Sequence, residues 1–144
     1  DGYPYPEPVV RSVADQLNNM IRLNQALIVC PVPARPSRPR RVEALVESLR
    51  GHVSPAIQCA ASDGILAYRE GVLANKELAG DARYENIRDH LYVAEPSKVF
   101  GHSVVILDDV VTSGATLFYA EQRLREAGAQ SVTSLAIAQS VRAI

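Results

Sequence analysis

The stretch from Val104 to the helix that follows it restricts the fold more than any other part of the chain. Residues 104–107 are all apolar, and Asp108 and Asp109 follow them directly. A short continuous apolar run is typical of a strand that is buried on both faces, as in a parallel sheet. Helical spacing of apolar residues then predicts a helix from Gly114 to Ala127. Since ligands of open α/β sheets bind at the carboxyl ends of the strands, both carboxylates are predicted at a ligand-binding edge.

The rest of the chain repeats this alternation of strands and helices. Helices are predicted from Val9 to Asn24 and from Val42 to Leu49, and strands over Ala26–Val32, Ala56–Ala61, Leu91–Val93, Ser103–Leu107 and Val132–Ala138. The segment from Ser62 to His90 shows only partial helical periodicity, around Val72 to Tyr84. We therefore predict an α/β fold with a mostly parallel central sheet flanked by helices, in one domain over 1–144. The proline-rich residues 1–8 are predicted to form an extended arm.

Composition excludes several classes of protein. The 144 residues are 47% hydrophobic and 22% charged, with a formal net charge of -1. A disordered chain and a strongly basic nucleic-acid binder do not fit these values. Two cysteines, Cys30 and Cys59, cannot build a disulfide framework or a zinc knuckle. No apolar run reaches the ~20 residues that span a bilayer, and residues 1–8 do not form a signal peptide, so we expect a cytoplasmic protein without a membrane partner.

The loop between strand and helix combines two kinds of ligand contact. Hydroxyl groups come from Thr112, Ser113 and Thr116, and Gly114 and Ala115 stand where the helix begins. Backbone N–H groups at a helix N-terminus form an anion site, and glycine lets the backbone approach the anion closely. A ligand with vicinal hydroxyls for the carboxylates and a phosphate for the amides fits both ends, as a ribose 5-phosphate unit does. Alternatively, the acids only cap the helix, although capping explains one acid and not the second.

Residues 104–116 resemble the 5-phosphoribosyl-1-pyrophosphate (PRPP) motif of type I phosphoribosyltransferases. The resemblance implies a Rossmann-like core and transfer of phosphoribose from PRPP to a nitrogen acceptor, a nucleobase or amine, with release of pyrophosphate. It implies that Asp108 and Asp109 bind the ribose hydroxyls and serve catalysis, and that residues 112–116 bind the 5-phosphate. The implied cofactor is Mg²⁺, held mainly through PRPP rather than by direct protein ligands. A homodimer is a further expectation from the family.

Two more segments extend the resemblance toward the ComF-like branch of the family. Ile28–Pro33 is similar to its first core strand, and the turn after it would place Ala34 and Arg35 at the pyrophosphate. Arg83 and Asn86 resemble an R-x-x-N motif that precedes the PRPP motif in that branch. Lys76 lies where type I enzymes carry a mobile catalytic loop and is a candidate to neutralise departing pyrophosphate; a solvated helix lysine is the alternative.

The chain also departs from the pattern of the family. Arg40-Arg41-Val42-Glu43-Ala44 stands where ComF-like chains carry Arg-Gly-Phe-Asn-Gln, and their cysteine-rich zinc element is absent. Thr112 occupies the position of the aspartate base of 6-oxopurine enzymes, which disfavours hypoxanthine and guanine as acceptors.

Other functions stay open at this point. The arginines at 35, 38, 40 and 41 are consistent with a solvated loop, a pyrophosphate clamp through Arg35, or a nucleic-acid patch. The prolines among them and the near-neutral net charge disfavour the nucleic-acid patch. The rival to an enzyme is a non-catalytic regulator that binds PRPP or a nucleotide, or a ComF-like protein associated with DNA uptake.

Overall fold

The computed structural model describes residues 5–21, 26–34, 40–60, 65–73, 78, 80–109 and 114–137. In chain order, the elements are α1 (Glu7–Met20), β1 (Leu27–Pro31), α2 (Arg41–Leu49), β2 (Ile57–Cys59), β3 (Leu66–Tyr68), α3 (Asp81–His90), β4 (Leu91–Val93), α4 (Pro96–Val99), β5 (Ser103–Asp108), α5 (Ala115–Glu126) and β6 (Ser131–Ala136). The alternation of strands and helices confirms the predicted α/β class.

Four strands form the main sheet in the order β2-β1-β5-β6, and all neighbours are parallel. In the register, Leu27 lies opposite Ser103 and Pro31 lies opposite Leu107. Strand β5 therefore lies inside the sheet, with β1 on one side and β6 on the other. Because parallel neighbours end together, the chain leaves β1, β5 and β6 at the same edge of the sheet. We call this edge, where Asp108 ends β5, the carboxyl edge.

Both faces of the sheet are covered, which explains the continuous apolar runs in β1 and β5. Val29, Val105 and Leu107 pack with α1 and α2 on one face. Cys30, Val104 and Ile106 alternate with them and pack toward α5 on the other face. All six side chains lie within the two clusters of buried residues, so the position of the carboxyl edge is fixed by packing on both sides.

A second, two-stranded sheet forms from β3 and β4, which pair antiparallel with Leu66 opposite Val93. Helix α3 leads directly into β4, and Arg123 of α5 holds this junction through hydrogen bonds to the carbonyl oxygens of Arg88 and Leu91, at 2.6 and 3.1 Å. The sequence predicted β4 but neither β3 nor the bounds of α3. The partial periodicity around Val72 to Tyr84 does not mark one helix, because α3 begins only at Asp81.

Element ends differ from the predictions in several places. Helix α1 starts at Glu7, so residues 7 and 8 of the predicted extended arm are helical, because proline is tolerated in the first turn of a helix. Residues 1–4 of the arm lie outside the described residues. The helix ends at Met20 rather than Asn24, which also lies outside them. Strand β6 ends at Ala136, two residues before the predicted end.

Candidate functional site

The acidic pair lies at the carboxyl edge, where the sequence predicted it. Asp108 is the last residue of β5 and Asp109 follows it, and both are partly exposed. The Asp109 N–H donates to Oδ1 of Asp108 at 2.8 Å. The chain bends at Asp109, directly after the strand, and two carboxylates stand next to each other at the end of an otherwise buried strand. Such an arrangement suits a ligand with neighbouring hydroxyl groups.

Gly114 is the N-cap residue directly before α5 at the same edge, in a left-handed conformation with φ of +80°. A Cβ placed on Gly114 would meet no atom within 4 Å, so there is open space above the backbone. The first turn of α5 contains no acidic residue, whereas those of α2 and α3 contain Glu43 and Asp81. The N–H groups of this turn therefore face no acid of their own helix, and the helix dipole favours an anion there.

The other residues of the predicted phosphate loop are only partly described. Ala115 is buried and Thr116 is partly exposed in the first turn of α5. Thr112 and Ser113 lie outside the described residues, as does the whole connection 110–113 between Asp109 and Gly114. The described part of the loop thus brings the acidic pair and the helix N-terminus to one edge of the sheet.

The predicted pyrophosphate turn leaves β1 beside the acidic pair. The Val32 N–H donates to the Leu107 carbonyl oxygen at 2.8 Å, which holds the end of β1 against the end of β5. Two residues later, the Ala34 N–H donates to Oε2 of Glu43 at 3.0 Å. Arg35 lies outside the described residues. The structure therefore brings Ala34 to the carboxyl edge, with its N–H bound by a carboxylate.

Glu43 was not singled out by the sequence. It is 5% exposed and receives a second contact, from Nε of Arg40 at 3.4 Å. A carboxylate is almost never buried unless it is paired, so this residue has a specific local role. Glu43 lies outside the apolar spacing of α2, which runs through residues 42, 45, 46 and 49, so the sequence carried no signal that it faces inward.

The R-x-x-N motif holds the segment before α3. Nε of Arg83 donates to the Leu78 carbonyl oxygen at 2.9 Å. Nδ2 of Asn86 donates to the Leu73 carbonyl oxygen at 2.8 Å, and the Leu73 N–H donates to Oδ1 of Asn86 at 3.0 Å. The two side chains thus hold both ends of residues 74–77. Lys76 falls in this segment and lies outside the described residues.

Tyr5 is a further residue near the acidic pair that the sequence did not indicate. Burial raises the pKa of its hydroxyl, and the negative charges of Asp109 and Asp108 raise it further. The direction of α1 agrees with this placement, since Asn18 at its other end accepts the Ser54 N–H at 2.9 Å, just before β2 begins. The N-terminal end of α1 therefore lies at the carboxyl edge.

Other features of the described residues are not part of the acidic pair or of the start of α5. Burial raises the pKa of the Cys30 thiol to about 12, as expected of a thiol in the core. A cavity of about 550 Å³ borders β2 and is lined in part by Gln58, Cys59, Arg50 and Lys98. Within the described ranges, no three His, Cys, Asp or Glu residues group to hold a metal ion. No described helix has the length and apolar character needed to cross a membrane.

Comparison with solved structures shows the same fold in proteins of low sequence identity. One such protein is a hypoxanthine-guanine phosphoribosyltransferase from Bacillus anthracis. The aligned part covers 90% of this chain and 65% of the Bacillus anthracis chain, with a TM-score of 0.57 and 12% identity. A hypoxanthine phosphoribosyltransferase from Staphylococcus aureus matches 89% of this chain and 59% of its own, with a TM-score of 0.54 and 11% identity. The glutamine PRPP amidotransferase of Bacillus subtilis matches 90% of this chain and 26% of its own, at a TM-score of 0.50 and 18% identity.

The chain thus spans less than two thirds of the length of these three structures. A comparison with curated proteins found no significant match. The sequence profile of the family described as "Phosphoribosyl transferase domain" matches residues 7–142, nearly the whole chain. With its parallel sheet, its acidic pair after β5 and its glycine at the start of α5, the chain belongs to the phosphoribosyl transferase domain family.

Proposed function

We propose that the protein is a PRPP-dependent phosphoribosyltransferase. The observation that carries the proposal is the pairing, at one carboxyl edge, of two adjacent carboxylates with a helix N-terminus that has no acid in its first turn. A phosphate and two vicinal hydroxyls, the features of a ribose 5-phosphate, match this pair of sites. Membership of the family supports the same conclusion.

The reaction separates pyrophosphate from C1 of the ribose while positive charge develops on the ring. The carboxylates of Asp108 and Asp109 would accept hydrogen bonds from the 2- and 3-hydroxyls, and their charge favours the cationic ring of the transition state. The N–H groups from Gly114 to Thr116, together with Thr112 and Ser113, would hold the 5-phosphate. Fixed at both ends, the ribose is oriented for attack by the acceptor, which lowers the entropic part of the barrier.

The pyrophosphate end of PRPP would lie toward the turn after β1, because β1 and β5 leave the sheet side by side. The sequence proposes Ala34 and Arg35 for this end; the Ala34 N–H is donated to Glu43, which leaves Arg35 as the proposed ligand of the two. Lys76 would neutralise the departing group. The oxygen-rich edge fits Mg²⁺, which prefers carboxylate, phosphate and water oxygens, with most of its ligands supplied by PRPP. When bound, Mg²⁺ supplies Lewis-acid polarisation of the leaving group.

The acceptor we propose is a small nitrogenous compound, a nucleobase or an amine. The solved structures of similar fold include enzymes named for hypoxanthine and a glutamine amidotransferase, so their names do not favour one acceptor class. Thr112, in place of the aspartate base of 6-oxopurine enzymes, argues against hypoxanthine and guanine. A homodimer, a cytoplasmic location and the ComF-like branch are part of the proposal and rest on the sequence.

A second candidate is a regulator that binds PRPP or a nucleotide without turnover, including a ComF-like protein associated with DNA uptake. The small size of the second sheet, β3 and β4, favours a regulator over an enzyme. Strands β3 and β4 have three residues each, so the described structure offers little surface to surround an acceptor.

The deciding experiment measures pyrophosphate release from PRPP and Mg²⁺ with a panel of nucleobases and amines, next to calorimetric titration with PRPP. Acceptor-dependent release that is lost in an Asp108→Asn, Asp109→Asn variant supports the enzyme. Saturable PRPP binding without release from any acceptor supports the regulator. Absence of both release and PRPP binding would overturn the proposal as a whole.

A further inference from the structure

We infer that Glu43 is a positioning residue for the pyrophosphate half of the site and that Arg40, which it holds, is a pyrophosphate ligand. The inference rests on the proposed function. Its geometric basis is one oxygen atom, Oε2 of Glu43, which accepts the Ala34 N–H at 3.0 Å and Nε of Arg40 at 3.4 Å. The carboxylate is 5% exposed, whereas the side chain of Arg40 is 60% exposed.

The two contacts of Glu43 join the two ends of one connection in the chain. Ala34 is the last described residue before the segment 35–39 and Arg40 is the first one after it. One buried oxygen therefore ties together the two ends of the connection between β1 and α2. That connection starts beside the acidic pair, because Val32 is bonded to Leu107. The charge of a buried carboxylate is costly without partners, so Glu43 has a strong preference to keep both contacts.

The same contacts change which group can meet pyrophosphate. While its N–H is donated to Glu43, Ala34 cannot use that N–H for an oxygen of the ligand. A guanidinium has five N–H donors, and the contact of Arg40 with Glu43 uses only the one on Nε. Two oxygens of a phosphate can be bound by the remaining donors as a pair. Glu43 thus restrains Arg40 at the carboxyl edge and leaves its outer donors for an anion.

A purely structural role is the alternative. Glu43 stands in the first turn of α2, where an acid stabilises a helix through the dipole. Loss of such a role would lower the stability of the fold, but it would not lower the affinity for one ligand more than for another. The two halves of PRPP can be tested separately, since inorganic pyrophosphate probes the Glu43 half and ribose 5-phosphate probes the acidic pair and α5.

The experiment is calorimetric titration of the whole chain with each probe in the presence of Mg²⁺. For Glu43→Ala we expect affinity for pyrophosphate to fall about tenfold and affinity for ribose 5-phosphate to stay within twofold. Arg40→Ala should show the same selectivity. The matched control is Glu47→Ala in the same helix, since Glu47 is exposed and pairs with Arg50 instead. This control should bind both probes like the wild type.

Glu43→Gln keeps an acceptor for the Ala34 N–H but loses the charge that holds Arg40. We expect its pyrophosphate affinity to be about threefold below that of the wild type, and this variant decides the matter if Glu43→Ala does not fold. An unchanged or higher pyrophosphate affinity in Glu43→Gln, or an equal loss of both probes, would overturn the inference alone. If the wild type binds neither probe, the proposed function and the inference both fail.

Discussion

Replacing Gly114 by alanine separates backbone strain from loss of an anion site. Gly114 has φ of +80°, a left-handed conformation that costs other residues about 1–2 kcal/mol. A chain of 144 residues has an unfolding entropy of about 0.3 kcal/mol/K near 60 °C, so 1 kcal/mol corresponds to about 3 °C in melting temperature. We therefore expect Gly114→Ala to melt about 3–7 °C below the wild type.

The effect of this substitution on binding has a different origin. The added methyl group would enter the open space above the backbone, where the 5-phosphate is proposed to lie. Loss of one charge-assisted hydrogen bond costs roughly 1.5–3 kcal/mol, or about 10- to 150-fold in affinity. Titration with ribose 5-phosphate measures this loss directly, because the probe lacks pyrophosphate.

Gly101 provides the matched control. It has φ of +77° and equally open space, but it lies before β5, at the sheet edge opposite the acidic pair. Gly101→Ala should melt at a similarly lowered temperature and bind ribose 5-phosphate like the wild type. If Gly114→Ala and Gly101→Ala bind the probe equally well, the first turn of α5 is not the phosphate site.

Four further predictions concern other parts of the molecule. Asparagine at both Asp108 and Asp109 should keep or raise the melting temperature, because two like charges are removed. The free energy of ribose 5-phosphate binding should weaken by roughly 1.5–3 kcal/mol for each lost carboxylate. Reduced stability with undiminished affinity would show that the acids serve the fold. Asn86→Ala should lower the urea-unfolding free energy by about 1–3 kcal/mol, because two hydrogen bonds to the backbone before α3 are lost, and an unchanged midpoint would contradict their importance. Burial raises the pKa of Cys30 to about 12 from an ordinary 9.0. As pH rises above 9, the thiol therefore loses its proton in the unfolded chain before it does so in the folded chain. The free energy of unfolding should decrease from pH 9 toward 12. At pH 8 a thiol reagent followed by peptide mass spectrometry should label Cys59, at the border of the cavity, before Cys30, and equal labelling would refute this order.

The main sheet and its acidic pair could be predicted from the sequence because their signals are local. Four apolar residues before Asp108 predict a strand with two covered faces, and the spacing of apolar residues in α5 predicts a helix. The glycine at the junction indicates a place where the backbone can approach an anion closely. These signals do not depend on distant residues, so the sequence alone determines that the acidic pair lies at the end of a strand.

The surroundings of the site depend on contacts between distant parts of the chain. Strand β3 has only three residues, too few for a period, and it exists because it pairs with β4 more than twenty positions later. Glu43 appears as an ordinary helical acid until the fold brings Ala34 to it. Tyr5 comes close to the acidic pair because packing sets the direction of α1. Local patterns determine which residues form a strand or a helix, whereas only tertiary packing decides which side chains meet at its ends.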